Sequence, residues 1–267
     1  MLKKKPLKVC FNYVQVLKQL IMKDEWFGTW FNSPYYHILY KNRDYVEAKN
    51  FINHLYKYLE LEPKHKILDL ACGKGRHSIF LNSKGLDVEG VDLSEESILA
   101  ARKYENEKLH FNTHDMREVY KENSFDFILN MFTSFGYFDS YQENQQAISA
   151  AAKGLKNGGT LVLDFFNTNK VVACLKAENV ILSEGLTFNI TRKIENNTIV
   201  KDINFISNEK KYHFQERVKA LTKADFSQFF KEANLEIEAI FGDYDLGKYE
   251  EMTSERMVFV VRKRERN

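Results

Sequence analysis

Cysteine and proline are scarce in this sequence, with three of each among 267 residues. Cys10, Cys72 and Cys174 are odd in number and widely spaced, which excludes a disulfide framework and a CxxC metal site. We therefore expect a reducing, cytoplasmic compartment and no bound metal. The prolines are scattered too, and no low-complexity linker or internal repeat divides the chain.

The sequence also lacks long apolar runs and an excess of charge of one sign. No apolar run reaches the ~18 residues that a membrane helix needs, so we expect no membrane span. Lys and Arg number 39 against 37 Asp and Glu, a net charge of +2, which argues against a broad nucleic-acid surface. A hydrophobic content of 44% excludes a disordered chain.

Short apolar runs alternate with helical patterns between residues 64 and 167. The spacing predicts five strands, at 67–70, 88–91, 109–112, 125–130 and 160–166. A predicted helix follows Gly75, and Ser94 is placed to cap the next helix. Strands that alternate with helices in this way predict a parallel α/β sheet.

Beyond the fifth strand the periodicity changes to the alternation of an antiparallel meander. We predict strands at 186–195, 198–206 and 212–221, then a helix that begins at Thr222 with Asp225 as its capping partner. Two last strands are predicted at 236–241 and 257–261. The meander must pack on the main sheet or on a second chain, which would make a homodimer, through residues on one face: Phe188, Ile190, Ile203, Phe205 and Phe214.

Together these elements predict a Rossmann-like α/β fold. Its sheet has seven mostly parallel strands, the last of them antiparallel. We divide the chain into an N-terminal helical lid, an α/β core, an antiparallel β insertion after strand five, and a C-terminal helix with two strands that complete the sheet. The corresponding residues are 1–60, 61–170, 171–221 and 222–267.

The most informative segment runs from Leu68 to Arg76. A predicted strand enters a turn that contains Gly73 and Gly75, and a helix follows, so a ligand can approach the backbone closely. Asp92 ends the next strand, 17 residues past Gly75. In doubly wound sheets an acid at this place accepts hydrogen bonds from a ribose diol. The pair indicates a ligand that contains adenosine.

Two features bear on which ligand that is. A dinucleotide site is typified by GxGxxG, and the third glycine is missing here. Asp69 stands four residues before Gly73, where a carboxylate repels a diphosphate but suits a positively charged amino group. A nicotinamide-dependent Rossmann oxidoreductase stays open as an alternative.

At this point the segment resembles motif I of the class I S-adenosylmethionine-dependent methyltransferases, and the resemblance extends from Ile67 to Asn167. It implies S-adenosylmethionine as cofactor and S-adenosylhomocysteine as product. It also implies cofactor contacts from the glycine turn, the ribose and adenine positions, and the end of the fourth strand. These residues are Asp69, Ala71, Cys72, Gly73, Gly75, Arg76, Asp92, Leu93, Asp115, Met116, Asn130 and Phe132.

A narrower resemblance concerns Cys72 to Ser78, which is similar to a subgroup that includes tellurite-resistance and thiopurine methyltransferases. Arg76 stands where the family often has a small residue. It points either to solvent or to the methionine carboxylate of the cofactor.

An aromatic segment lies between Trp26 and Glu47. Tyr36, Tyr40 and Arg43 are spaced to share one helix face. Either this helix only packs on the sheet, or it is a lid in which Arg43 binds the cofactor carboxylate and the tyrosines face the sulfonium. The pattern resembles the lid helix of sugar N,N-dimethyltransferases.

The family resemblance implies in-line transfer of a methyl group to a small-molecule N, O or S acceptor. A base is needed only if the acceptor arrives protonated, and the candidates are Tyr35, Tyr36, His37 and His77. Asn167 is a candidate polar group on the acceptor side. A methyltransferase that acts on RNA or protein and a non-catalytic cofactor-binding protein are further alternatives.

Overall fold

The computed structural model of the protein describes residues 26–41 and 45–264. The strands form two separate sheets, one of seven strands and one of four. In chain order they are β1 (Lys66–Leu70), β2 (Asp87–Asp92), β3 (Leu109–Thr113), β4 (Phe125–Asn130), β5 (Leu155–Phe166), β6 (Glu178–Ser183), β7 (Leu186–Glu195), β8 (Thr198–Ser207), β9 (Lys210–Lys219), β10 (Leu235–Phe241) and β11 (Arg256–Lys263).

The α-helices of the described residues are short, and two of them reach 14 residues. They are α1 (Trp26–Phe31), α2 (Pro34–Leu39), α3 (Tyr45–Tyr58), α4 (Arg76–Asn82), α5 (Glu95–Ala101), α6 (Tyr141–Gly154), α7 (Thr168–Ala173) and α8 (Lys223–Glu232). Within this part of the chain no helix combines the length and apolar character needed to cross a membrane.

The large sheet has the order β10-β11-β5-β4-β1-β2-β3. Strands β1 to β5 run parallel to one another. β11 lies between β5 and β10 and is antiparallel to both. The prediction of seven strands with an antiparallel last strand is confirmed. Residues 67–70 of β1 are all buried, as expected for a central strand with both faces covered. The strand order reverses between β1 and β4, which opens a crevice at the carboxyl ends of these strands.

Side-chain caps fix where several helices begin. The Ser94 hydroxyl accepts a hydrogen bond from the N–H of Ser97, as predicted. The predicted box at α8 is also confirmed, because Thr222 Oγ1 accepts from the N–H of Asp225 and the Asp225 carboxylate accepts from the N–H of Thr222. Both caps satisfy backbone N–H donors that the start of a helix otherwise leaves unpaired.

The fifth strand, predicted at 160–166, begins earlier than expected. β5 begins at Leu155, and its pairing with β4 shifts register between the Phe125–Leu155 and Phe127–Thr160 pairs. Gly158, with φ of 72°, lies in this irregular stretch. The extra residues form a bulge at the start of the strand.

The insertion after β5 is a four-stranded antiparallel sheet with the order β6-β7-β8-β9. The sequence predicted three strands and missed β6. That strand lies at the sheet edge, and its residues alternate between exposed and half-buried, so it has no buried face to mark it.

One face of the insertion packs on the N-terminal helices. Trp30 of α1 and Leu39 of α2 are buried in one cluster with four residues that the sequence predicted to need a partner surface, Phe188, Ile190, Ile203 and Phe205. The chain's own helices therefore cover the face that suggested a second chain. A homodimer stays a prediction, but the apolar face of the insertion no longer supports it.

The helix face predicted for Tyr36, Tyr40 and Arg43 is shorter than expected. α2 ends at Leu39, and Tyr40 caps it with a non-helical φ of −104° and ψ of 17°. The Tyr36 and Tyr40 rings remain adjacent, with centroids 5.0 Å apart. Arg43 lies outside the described residues.

Candidate functional site

The turn between β1 and α4 forms the base of the crevice. Ala71, Gly73 and Gly75 all have positive φ, at 64°, 56° and 78°. The N–H of Gly73 donates to Asp92 Oδ2 at 2.8 Å, so the turn is tied to the end of β2. A Cβ on Gly73 would meet no atom within 4 Å, which leaves this stretch of backbone open to a ligand.

Two cavities meet at the carboxyl edge of the large sheet. The first, of about 500 Å³, lies over the β1–α4 turn. It is lined by most of the residues that the sequence singled out, namely Tyr36, His37, Tyr40, Asp69, Ala71, Cys72, Gly73, Arg76, His77, Asp92, Leu93, Asp115, Met116 and Phe132.

Gly75 and Asn130 are not among the residues that line the first cavity. A Cβ on Gly75 would lie 2.6 Å from the Phe111 ring, so this glycine lets α4 pack closely on β3. Asn130 is buried, and its Nδ2 donates to the carbonyl of Leu70 at 3.0 Å, which joins the ends of β4 and β1. Both residues support the cavity wall through packing and hydrogen bonding, without lining the cavity themselves.

Asp92 is fixed by backbone donors. Its Oδ2 accepts from the N–H of Gly73 and its Oδ1 from the N–H of Ser94, both at 2.8 Å. Burial raises the pKa of Asp92, and hydrogen bonds from the backbone N–H groups of Ser94, Gly73 and Leu93 oppose that shift. A carboxylate has about four acceptor positions, so those that remain can accept hydrogen bonds from a ligand in the cavity.

Asp69 is the most deeply buried acid of the first cavity. Ser78 Oγ, on α4, donates to its Oδ2 at 2.6 Å. Burial raises the pKa of Asp69 to about 6, and the nearby Asp92 charge adds to the rise. A buried carboxylate with this pKa is stabilised by a cation placed beside it.

Asp115 and Met116 line the first cavity just after the end of β3. The Arg117 guanidinium donates to both oxygens of Asp115, with Nη2 at 2.7 Å from Oδ2, and its Nη1 donates to Glu143 Oε1 at 2.9 Å. This ion pair holds the Asp115 carboxylate in place. Met116 and Leu93 line the same part of the cavity with apolar side chains.

His77 is held neutral against Phe132. The two rings are stacked, with centroids 4.6 Å apart and planes 11° from parallel. Arg76 Nε donates to His77 Nε2 at 3.1 Å, so that nitrogen acts as an acceptor and the proton lies on Nδ1. Burial lowers the pKa of His77 to about 3, and the Arg76 charge adds to the effect.

The second cavity, of about 420 Å³, lies between the large sheet and the insertion. It adjoins the first, because both are lined by Phe31, Tyr36, Arg76, Phe132 and Tyr137. Aromatic and aliphatic side chains form much of its wall, and its charged lining residues are Glu47, Arg76, Arg192, Lys201, Glu216 and Arg256. Most of this lining was missed from the sequence.

The shared wall at Phe132 is held in an unusual backbone conformation. Phe132 and Thr133 have φ of 58° and 59°, a region that costs free energy for residues other than glycine. Asp164 of β5 compensates, since its Oδ2 accepts from the N–H of Phe132 at 2.7 Å and its carbonyl accepts from the N–H of Thr133 at 3.1 Å.

Asp164 in turn binds two residues of the second cavity. Arg256 Nε donates to its Oδ1 at 2.8 Å, and the Tyr244 hydroxyl donates to its Oδ2 at 3.1 Å. Burial and the Asp164 charge raise the pKa of Tyr244, which therefore stays protonated. No local sequence pattern joins positions 164, 244 and 256, so this group could not be predicted from the sequence.

Two other residues named from the sequence lie away from both cavities. Tyr35 packs on the insertion, with its ring centroid 4.7 Å from that of Phe205. Asn167 is buried and its Nδ2 donates to the carbonyls of Glu251 and Ser254 at 2.8 and 2.9 Å. Asn167 thus connects β5 to the loop before β11.

The crevice lies within a region of the chain that is similar to a known domain family. Residues 67–159 match the family model described as "Methyltransferase domain". A solved structure of an S-adenosylmethionine-dependent methyltransferase from Clostridium acetobutylicum ATCC 824 superposes with a TM-score of 0.73. It is 21% identical in sequence, and the match covers 96% of this chain and 100% of the other.

Two sequence relatives are methyltransferases by name. A dTDP-3-amino-3,4,6-trideoxy-alpha-D-glucopyranose N,N-dimethyltransferase of Streptomyces venezuelae is 30% identical over 125 residues, which are 46% of this chain and 52% of that protein. The glycine N-methyltransferase of Mus musculus is 27% identical over 150 residues, 49% of this chain and 51% of that protein. The chain spans about half the length of these relatives. The match to the methyltransferase domain thus covers residues 67–159, and the structural similarity shows a shared fold.

Proposed function

We propose that the protein transfers a methyl group from S-adenosylmethionine to a small-molecule N, O or S acceptor. The observation that carries this proposal is the junction of the two cavities at Phe132 and Tyr36. A cofactor in the first cavity would present its methyl group at this junction, and an acceptor in the second cavity would face it there.

The residues of the first cavity fit the cofactor. The remaining acceptor positions of Asp92 suit the ribose hydroxyls. Leu93 and Met116 would supply apolar contact for the adenine ring, and Asp115 would lie beside it. The buried Asp69 carboxylate suits the ammonium group of the methionine part. Gly73 leaves room for close approach of the ligand to the backbone.

S-adenosylmethionine, when bound, supplies an electrophilic methyl group. Asp69, Gly73 and Asp92 would hold the cofactor, and the acceptor lone pair would take the methyl group while the sulfur kept the electrons of the broken carbon–sulfur bond. The protein's part is to align the two and to exclude water. Aromatic side chains at the junction, Phe31, Phe132 and Tyr137, provide that dry contact.

The candidate bases differ in what their surroundings allow. His77 Nε2 already accepts from Arg76, and the pKa of about 3 keeps the ring neutral, so we assign His77 a positioning role against Phe132. His37 lines the first cavity but not the second, and burial lowers its pKa. Tyr36 lines both cavities and stays the candidate nearest the acceptor. An acceptor that arrives as a neutral amine needs no base.

A small acceptor is favoured over RNA or protein. The second cavity lies beneath the insertion and against α1, and its volume of about 420 Å³ falls in the range of small-molecule sites. The dimethyltransferase from Streptomyces venezuelae, by its name, acts on an amino sugar nucleotide, which also favours a small molecule.

Calorimetric titration with S-adenosylhomocysteine tests the cofactor site. We expect Asp92→Asn to weaken binding at least tenfold, about 1.4 kcal/mol, because a ribose acceptor is lost. Asp87→Asn, at the other end of β2, is the matched control and should leave the affinity unchanged. Equal affinities for wild type and Asp92→Asn would remove Asp92 from the site. Methyl transfer to pooled small metabolites then tests turnover.

A further inference from the structure

The inward face of the insertion carries a row of charges where strand alternation places apolar residues. Arg192 of β7 pairs directly with Lys201 of β8, and Lys201 pairs with Glu216 of β9. The neighbouring rows on the same face are wholly apolar: Ile190, Ile203 and Phe214 on one side, and Ile194, Ile199 and Val218 on the other. All three charged residues line the second cavity.

Two charges of this row neutralise each other. Lys201 Nζ donates to Glu216 Oε2 at 3.2 Å, and the side chains are only 13% and 16% exposed. Glu216 Oε1 also accepts from Trp30 Nε1 at 2.7 Å and from the Tyr40 hydroxyl at 2.5 Å. Glu216 is therefore fully engaged by α1, the end of α2 and β8.

Arg192 keeps an uncompensated charge among the described residues. Its Nη1 donates to Asn179 Oδ1 at 2.5 Å and to the carbonyl of Lys176 at 3.4 Å, and both acceptors are neutral. These contacts orient the guanidinium at the cavity wall. An anion bound at this wall would compensate the Arg192 charge.

Another arginine of the second cavity, Arg256, has a carboxylate partner that neutralises its charge. Arg256 is bound to Asp164, which is fully buried beneath it. Among the charged residues that the insertion contributes to this cavity, the surplus positive charge is thus at Arg192. A guanidinium binds carboxylate and phosphate groups through two parallel N–H donors, and Val171, Leu175 and Ile199 offer apolar lining in the same cavity.

We propose that Arg192, with Lys201 beside it, binds an anionic group of the methyl acceptor, either a carboxylate or a phosphate. This inference rests on the proposed function, since it assigns one end of the acceptor site. The acceptor is then a small molecule with a nucleophilic atom at the Phe132 junction and an anionic group at the insertion.

Binding of simple anions tests the proposal. The full chain, with and without saturating S-adenosylhomocysteine, is titrated with inorganic phosphate and separately with acetate, and binding is followed by ligand-observed NMR. We expect saturable binding of at least one anion, weakened at least tenfold by Arg192→Gln. The two arms distinguish a phosphate site from a carboxylate site. The proposal is overturned if neither anion saturates the wild-type protein.

Arg217→Gln is the matched control. Arg217 follows Glu216 on β9, so it belongs to the opposite face of the sheet, where its Nη1 donates to Gln215 Oε1 at 3.1 Å. It removes the same charge and should leave anion binding unchanged. An equal loss in both variants would mean general charge attraction and would defeat the proposal.

Two further measurements separate the possible failures. Arg192 does not line the first cavity, so Arg192→Gln should bind S-adenosylhomocysteine with wild-type affinity. If the wild-type protein does not bind S-adenosylhomocysteine, the proposed function is wrong. The anion titrations without S-adenosylhomocysteine still test whether Arg192 binds an anion. If Arg192→Gln does not fold, Arg192→Lys serves instead. It keeps the charge but loses the paired donors, and unchanged anion binding in that variant counts against the proposal.

Discussion

Asp164 and Arg256 form a buried ion pair between β5 and β11, with 2.7 Å between Arg256 Nη2 and Asp164 Oδ1. The Asp164 side chain is 0% exposed and that of Arg256 is 17% exposed. The same carboxylate accepts the N–H of Phe132. One residue therefore holds both the strained turn at the cavity junction and an arginine of the second cavity.

We expect Asp164→Asn to destabilise the protein by about 3–5 kcal/mol, because it leaves the Arg256 charge buried without a counter-ion. Urea denaturation measures the loss. The control is Glu255→Gln, which breaks the Lys170–Glu255 pair, whose Glu255 side chain is 73% exposed. That variant should change the free energy of unfolding by less than about 1 kcal/mol. Similar small losses in both variants would contradict the role given to Asp164.

The affinity for S-adenosylhomocysteine should fall as the pH is lowered through about 6, the pKa of Asp69. Because the folded-state pKa of Asp69 is raised to about 6, its carboxyl group becomes protonated as the pH falls below about 6. A neutral Asp69 cannot pair with the ammonium group of the ligand. The loss should be about tenfold at a pH one unit below the pKa. Calorimetry across this pH range measures it.

Asp69→Asn supplies the control for this pH dependence. The variant should bind more weakly at neutral pH, and its affinity should vary less with pH, because the titrating group is gone. If the affinity of the variant falls with pH as steeply as that of the wild type, another group is responsible, and Asp92 is the next to test because burial raises its pKa as well.

Gly75→Ala should destabilise the protein more than Gly185→Ala. Both glycines have nearly the same φ, 78° and 77°, so both variants incur a similar backbone cost of about 1 kcal/mol. A Cβ at position 75 would also lie 2.6 Å from the buried Phe111 ring, whereas one at position 185 would meet nothing within 4 Å. The difference in thermal unfolding isolates the packing term, and equal effects would contradict it.

Local signals in the sequence sufficed for much of the core. The apolar run at Ile67 to Leu70, the glycine turn after it and the caps at Ser94 and Thr222 each depend on neighbouring residues. Because parallel strands bring their carboxyl ends to one edge, the order of motifs along the chain was enough to group most of the residues of the first cavity.

The second cavity depends on contacts between distant residues, which the sequence could not give. Asp164 and Arg256 meet only because β11 lies beside β5. The charged row of the insertion did have a signal, since Arg192 is in phase with Phe188 and Ile190, but the register needed to place it against Lys201 comes from the folded sheet. The edge strand β6 had no buried face to reveal it.

The insertion is one uninterrupted stretch, from β6 to β9, and it contains Arg192, Lys201 and Glu216, whereas Asp69 and Asp92 belong to the earlier strands β1 and β2. In the proposed function, acceptor choice and cofactor handling are thus encoded in separate blocks of the gene. A chimera that exchanges only the block for residues 178–219 would change which compound is methylated and keep the methyl donor, and divergence of substrate range can proceed by the same modular route.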